Sequence, residues 1–240
     1  MRVRSVLFWR CSRSRTSIAA RGVCSIAGAY DHRIPTVAPG EYRRHVPIFA
    51  CFDVETTALD PKGGRVIEVA VVRVQDDGTV VGEWSTLVNA GVADLGRTDI
   101  HGIRRTWLET SPAFATIAGD LAHELSGCVP VAHNAGFDVG FLRAEWDRAG
   151  LGVLDLVAVD TLRMARQLGY PGKLGLLAEA LGVPLVDAHQ ALDDTRALAS
   201  VLVALLERGG ELPSPLPAFW PPLLTPTPSG QVALRPAQVA

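Results

Sequence analysis

Apolar and polar positions along the chain fall into short blocks whose period shifts partway from two to between three and four. PIFACFDV at 47–54 is a compact apolar run of strand length, and VIEVAVVRVQ at 66–75 is rich in β-branched residues that alternate in part. Asp77-Gly78 marks a tight turn into TVVGEWSTLVN at 79–89, which makes the second and third strands antiparallel. Beyond residue 110 the period lengthens. Ser111-Pro112 reads as an N-cap with proline at the first helical position, opening a helix to about Ser126. VPVAH at 129–133 is a strand. The stretch 137–149 spaces Phe137, Phe141, Leu142 and Trp146 as one helical face and stops at Gly150. VAVD at 157–160 is a short strand that leads into the helix TLRMARQL. A helix over about 173–181 ends at Gly182-Val183-Pro184. The last helix, 190–207, turns Leu192, Leu198, Val201, Leu202 and Leu205 toward a core. Three antiparallel strands followed by alternating helices and strands predict an α/β chain: one mixed sheet with helices on its faces.

The two ends read differently from this middle. Residues 1–45 hold nine Arg and two acids, Asp31 and Glu41, with no sustained apolar period. SVLFW is too short for a secretory core, whereas the Arg-rich, acid-poor composition suits a mitochondrial transit peptide as well as a plain disordered extension. Lys62 and Lys173 are the only lysines, a bias expected of a GC-rich genome, where spurious upstream sequence reads as Arg and Ala. The extension is the preferred reading. The folded domain is then 46–208, and 209–240 is a Pro-rich tail. Proline at the density of ELPSPLPAFWPPLLTPTPSG excludes helix and central strand, so a disordered tail is expected, with Trp220 as a docking candidate.

Composition narrows the setting. Of the 240 residues, 48% are apolar and 20% charged, as in ordinary soluble domains, and no apolar run is long enough to span a membrane. The net charge of −2 conceals an asymmetry: residues 46–240 carry 14 basic and 23 acidic side chains, a net of −9. Such a domain needs local cations if it handles a polyanion. Cys11, Cys24, Cys51 and Cys128 have neither zinc-knuckle nor redox spacing, and the latter two sit at apolar runs as small buried hydrophobes. A reducing, cytoplasmic setting fits them.

Three groups of residues carry possible chemistry. In Asp53-Val54-Glu55-Thr56-Thr57, strand periodicity puts Asp53 and Glu55 on one face. Close carboxylates repel unless a cation lies between them, and oxygen donors suit Mg²⁺ or Mn²⁺; two solvated acids at a strand end are the plain alternative. In VAHNAGFD at 131–138, Asp138 falls in the first turn of a helix, where the dipole favours a carboxylate for reasons of structure alone. His133 and Asn134 lie beside it, as loop residues or as contacts to a substrate. In His189-Gln190-Ala191-Leu192-Asp193-Asp194, the two acids point about 100° apart. Leu198 lies on the face of Asp194, which selects Asp194 as the inward carboxylate. Taken alone, each motif is compatible with ordinary surface or helix-end chemistry.

Taken together, FDVETT, HNAGFDVGFL and HQALDD, in that order, resemble the DEDD superfamily of 3′→5′ exonucleases. The His-x₄-Asp form of the third motif is that of the subgroup with a histidine base (DEDDh). The resemblance extends over 47–208, includes HGI at 101–103 and PGKLGLLAEALGVP at 171–184, and is strongest to proofreading exonucleases of the DNA polymerase III epsilon type and their stand-alone homologues. It implies a ribonuclease H-like fold with a five-stranded mixed sheet, three antiparallel strands and then two parallel. It implies two divalent ions, Mg²⁺ or Mn²⁺, held by Asp53, Glu55, Asp138 and Asp194. In that scheme Asp53 bridges both ions, Glu55 and Asp194 belong with the ion that activates water, Asp138 serves the leaving-group side, and His189 takes the water's proton.

The family often has Gly after the paired threonines, where this chain has Ala58; one added methyl implies an adjusted fit against the terminal nucleotide. Thr56, Thr57, Ala58, His133, Asn134 and Phe137 are the substrate-contact candidates, Phe137 with helix packing as its equal alternative. The expected partner is a nucleic-acid 3′ end, single-stranded DNA ahead of RNA. A non-catalytic nucleic-acid-binding module of the same fold is the competing class, and the five intact site positions argue against it. No polymerase or polymerase-binding motif is visible in the sequence.

Overall fold

Every strand expected from the alternating blocks forms, and the strands assemble around the first one. The computed structural model describes residues 47–185 and 190–236. In chain order the elements are β1 (Phe49–Thr56), β2 (Val66–Val74), β3 (Val80–Leu87), α1 (Thr98–His101), α2 (Arg105–Leu108), α3 (Phe114–Leu125), β4 (Val129–Ala132), α4 (Ala135–Arg148), β5 (Val159–Asp160), α5 (Thr161–Gln167), α6 (Leu174–Leu181) and α7 (Ala191–Glu207). The sheet order is β3-β2-β1-β4-β5. β1 and β3 run antiparallel to β2, and β1, β4 and β5 are mutually parallel. At the β2–β3 turn, Gln75 N–H donates to the Thr79 carbonyl at 2.9 Å, and Gly78 takes φ +87°, a region open to glycine at no steric cost.

β1 is apolar at nearly every position because both its faces are covered. Phe49 and Cys51 pack with Met164, Leu177, Leu198 and Leu202 of α5, α6 and α7. Ala50, Phe52 and Val54 pack with Ile117, Leu121, Phe141 and Trp146 of α3 and α4. The period of two therefore sends Asp53 and Glu55 to the α7 face, beyond the end of that apolar layer. A register shift between β1 and β2 falls at Glu55/Thr56, and such bulges re-aim strand ends beside sites. Among the described residues no helix is long and apolar enough to cross a membrane.

Two expectations need correction. Ser111 does not cap α3. Its hydroxyl donates to the Trp107 carbonyl at 2.7 Å, the Pro112 carbonyl accepts from Asn89 N–H, and the helix opens only at Phe114 with Ala113 as its N-cap. This segment is tied to the loop after β3 and to α2, so its polar groups are spent on tertiary contacts. The turns α1 and α2, in the stretch before it, were not anticipated.

The Pro-rich segment, expected to hang free, instead lies along the domain. Leu212 and Leu216 pack on the α7-side core, and Phe219 is buried in the opposite one. Phe219 exchanges backbone hydrogen bonds with the strand entry, donating to Cys128 O and accepting from Gly127 N–H, both at 2.9 Å. The chain then crosses α3 at Gly119, where a Cβ would run into the carbonyl oxygens of Pro226 and Thr227. The buried Asp120 carboxylate fastens it there, accepting from Ser229 N–H, the Ser229 hydroxyl and Gly230 N–H at 2.7–2.8 Å. Ala233 reaches β3, its carbonyl accepting from Leu87 N–H at 2.7 Å and its N–H donating to the Thr86 hydroxyl. Proline bars this segment from helix and sheet interior but not from an extended path whose apolar residues find pockets.

Candidate active site

The site lies where the C-terminal end of β1 meets the first turn of α7. One carboxylate oxygen each from Asp53, Glu55 and Asp194 lies within 4.8 Å of the others, and all three residues are partly buried. Helical phase decides which acid of α7 takes part. Asp193 turns outward to Arg196, 2.9 Å away, while Asp194 faces β1 above the buried Leu198. Asp138 arrives from the other layer. Nearly fully buried in the first turn of α4, it accepts from the Val54 N–H at 3.3 Å, between the two acids of β1. The Val54 amide thus ties α4 to the strand end. His189 lies outside the described residues.

The electrostatics are those of a crowded anionic cluster. Burial, followed by the charges of Asp138, Glu55, Asp194 and Glu68, pushes the Asp53 carboxyl well above its usual range. Burial and the facing Glu68 push Glu55 up to about 8, with Arg235 acting in the opposite sense. Burial raises Asp138 to about 7 against the hydrogen bond from Val54. Such groups are ionised together only with positive charge between them. An all-carboxylate set of hard oxygen donors fits a divalent cation of the Mg²⁺ or Mn²⁺ class.

The substrate-contact candidates divide. Thr57 is held at the strand exit: its N–H donates to Arg65 O, its hydroxyl accepts from Arg65 N–H at 3.0 Å, and Gly96 presses on its carbonyl. The Thr56 hydroxyl donates to Ala58 O at 2.7 Å, which curls the exposed Ala58 over the strand end. Phe137 is half-buried and stacks on Phe141, ring centroids 4.9 Å apart, so helix packing accounts for its position. His133 is a loop tie. Its Nε2 donates to Gly172 O and its Nδ1 pairs with the Thr161 hydroxyl, each at 3.0 Å, and burial lowers the ring's pKa. Neither ring nitrogen is left for a substrate. Asn134 takes the left-handed conformation at φ +65°, which Asn tolerates, and its N–H donates to Asp160.

Two charged residues that sequence reasoning passed over belong to this neighbourhood. Glu68 of β2 is paired in register with Glu55, is 5% exposed, and accepts from Ala191 N–H at the start of α7 at 3.1 Å. Its signal was legible: a lone acid inside VIEVAVV, directly across from another acid, is unfavourable without a partner. Arg235, the partner, lies in the Pro-rich segment, where nothing in the sequence marks it.

A mixed five-stranded sheet of this order, with carboxylates at the end of its central strand, is a ribonuclease H-like fold of the kind found in 3′-exonucleases. The family model described as "Exonuclease" (RNase T) matches residues 50–202. The chain belongs to that exonuclease family. A DNA polymerase III epsilon-like protein of Rhodobacter capsulatus is 36% identical over 167 residues, 66% of this chain and 23% of that protein. A PolC-type DNA polymerase III of Clostridium perfringens is 32% identical over 177 residues, 72% of this chain. The chain spans only 12% of the length of that polymerase. Among solved structures, the nuclease domain of 3′hExo, a DEDDh family member bound to rAMP, superposes with a TM-score of 0.61 at 16% identity, covering 70% of this chain and 96% of that one.

Proposed function

We propose that the chain hydrolyses phosphodiester bonds one at a time from the 3′ ends of DNA, releasing nucleoside 5′-monophosphates. The observation that carries this reading is the convergence of Asp53, Glu55 and Asp194 from two elements that the fold brings together. Asp53, Glu55, Asp138 and Asp194 would hold two divalent cations, Mg²⁺ or Mn²⁺. Bound there, the cations would supply charge to stabilise the attacking and leaving oxygens of an in-line displacement. His189 accepts a proton from the attacking water at a ring nitrogen, a role suited to a group that titrates near neutrality. The water oxygen forms the new bond to phosphorus, and the bond to the 3′ oxygen breaks. Thr56, Thr57 and Ala58, curled over the strand end, seat the terminal nucleotide. The epsilon-like relative supports DNA as the substrate. RNA is the second reading, supported by the rAMP bound to the structurally similar DEDDh nuclease.

The deciding assay incubates the full chain with matched 5′-labelled DNA and RNA oligonucleotides and Mg²⁺ or Mn²⁺. Stepwise shortening of DNA from the 3′ end, lost in Asp194→Ala, is the expected result. Faster shortening of RNA replaces the DNA reading with the second. Degradation of neither removes both.

A further inference from the structure

The cluster described above would be more repulsive than it is without one guanidinium. Arg235 donates from Nε to one oxygen of Glu68 at 2.8 Å and from Nη2 to the other at 2.6 Å, and from Nη1 to His101 O at 2.6 Å. The pair is nearly dry, with side-chain exposures of 12% and 6%. The Glu68 oxygen that takes Nη2 also takes the Ala191 N–H, the first residue of α7. Asp194 follows within the same turn. A chain of contacts therefore runs from the C-terminal segment through Arg235 and Glu68 to the start of the helix that bears a site carboxylate.

We propose that Arg235 is a positioning residue for the metal-binding acids: the C-terminal segment acts as a strap that fixes Glu68, and through it the first turn of α7. This rests on the exonuclease reading of the site. Geometry distinguishes it from general stapling. A bidentate Arg–carboxylate pair fixes the carboxylate in plane and direction, which lysine's point charge does not. Glu68 stands directly opposite Glu55, so without Arg235 it becomes a buried, unanswered charge that the cluster repels. The strap has its own anchors at Phe219, Asp120 and Leu87, so it delivers Arg235 at small further cost in chain entropy.

The experiment uses the full chain as wild type, Arg235→Ala, Arg235→Lys, Glu68→Gln and the double variant. Mn²⁺ binding is followed by the spin-resonance signal of free Mn²⁺, turnover by kcat and KM on a single-stranded oligonucleotide, and the first turn of α7 by hydrogen exchange. Arg235→Ala is expected to weaken Mn²⁺ binding and lower kcat, each about tenfold, the scale of a charge-assisted hydrogen bond. Exchange at the start of α7 should quicken while KM holds, and Arg235→Lys should recover only part of the loss. In Glu68→Gln the side chain can still accept the Ala191 N–H without a charge to neutralise, so in that background removing Arg235 should cost clearly less than in wild type, leaving only its direct effect on Glu55. Wild-type Mn²⁺ affinity and kcat in Arg235→Ala, or an equal loss in both backgrounds, would overturn the proposal. Arg235-dependent Mn²⁺ binding in a chain that degrades no nucleic acid upholds the strap and removes the exonuclease reading. A wild-type chain that binds no Mn²⁺ removes both.

Discussion

Two sets of acids are buried beside β1 and β2, and they are treated in opposite ways. Glu145, 1% exposed on α4, receives Arg65 through two hydrogen bonds at 2.7 and 3.0 Å, Arg148 at 3.1 Å and the Val66 N–H. Its charge is answered by the protein. Asp53, Glu55 and Asp194 each bring a carboxylate oxygen within 4.8 Å of the others. One arrangement holds the α4 helix to the sheet; the other gathers carboxylates at one point, with Arg235 among the described residues opposing the rise of Glu55. A buried acid surrounded by donors is a structural part, whereas buried acids surrounded by acids mark a place where something cationic is bound.

The largest effect that should separate the two sets is on turnover. Asp53→Asn is expected to cut exonuclease activity by roughly a thousandfold or more while leaving the metal-free protein as stable as wild type or more so. Single-turnover assays beside denaturant melts check this, and a large loss of stability would place Asp53 with Glu145. Arg65→Ala should do the reverse. Leaving Glu145 buried with half its cation set should cost about 3 kcal/mol in a urea melt, with kcat per folded molecule nearly unchanged.

The pH response sharpens the contrast. Glu55 is raised from its usual 4.5 to about 8 in the folded chain. Below about 4.5 it is protonated folded or unfolded and costs nothing; as pH rises the unfolded chain ionises first, and the full cost to the native state is reached above about 8. Glu55→Gln should therefore stabilise the metal-free protein increasingly between pH 5 and pH 9 (roughly the span of that shift), read as a growing difference in melting temperature. Saturating Mn²⁺ should cancel or reverse that gain, because the cation needs the ionised form. A difference flat across pH would mean that Glu55 carries no such strain. The smallest effect belongs to the surface. Arg196 bridges Glu83 and Asp193 but is half exposed, so Arg196→Ala should cost less than about 1 kcal/mol and leave activity intact.

Much of this was legible in the sequence, for identifiable reasons. Strand periodicity placed Asp53 and Glu55 on one face, and helical phase separated Asp194 from Asp193; both are local rules, and the structure obeys them. The mixed sheet followed from the order of alternating and helical blocks. The misses are non-local. Ser111 has the chemistry of an N-cap, but the Trp107 carbonyl claims its hydroxyl. His133 was open to two readings until Thr161 and Gly172 closed on its ring from 28 and 39 residues away. Arg235 acquires meaning only through Glu68, 167 positions earlier. No window along the chain contains such a pair.

The path of the C-terminal segment also bears on how the sheet behaves toward other sheets. β3 is an outer strand, and at the far side β5 is only two residues long. An outer strand offers unpaired N–H and C=O groups as a template on which a second chain can add. Here the Leu87 N–H is already taken by Ala233, while Val80 and Val81 at the other end of β3 are exposed. The segment thus occupies one end of this outer strand, where a second strand would otherwise add, and leaves the Val80 end open.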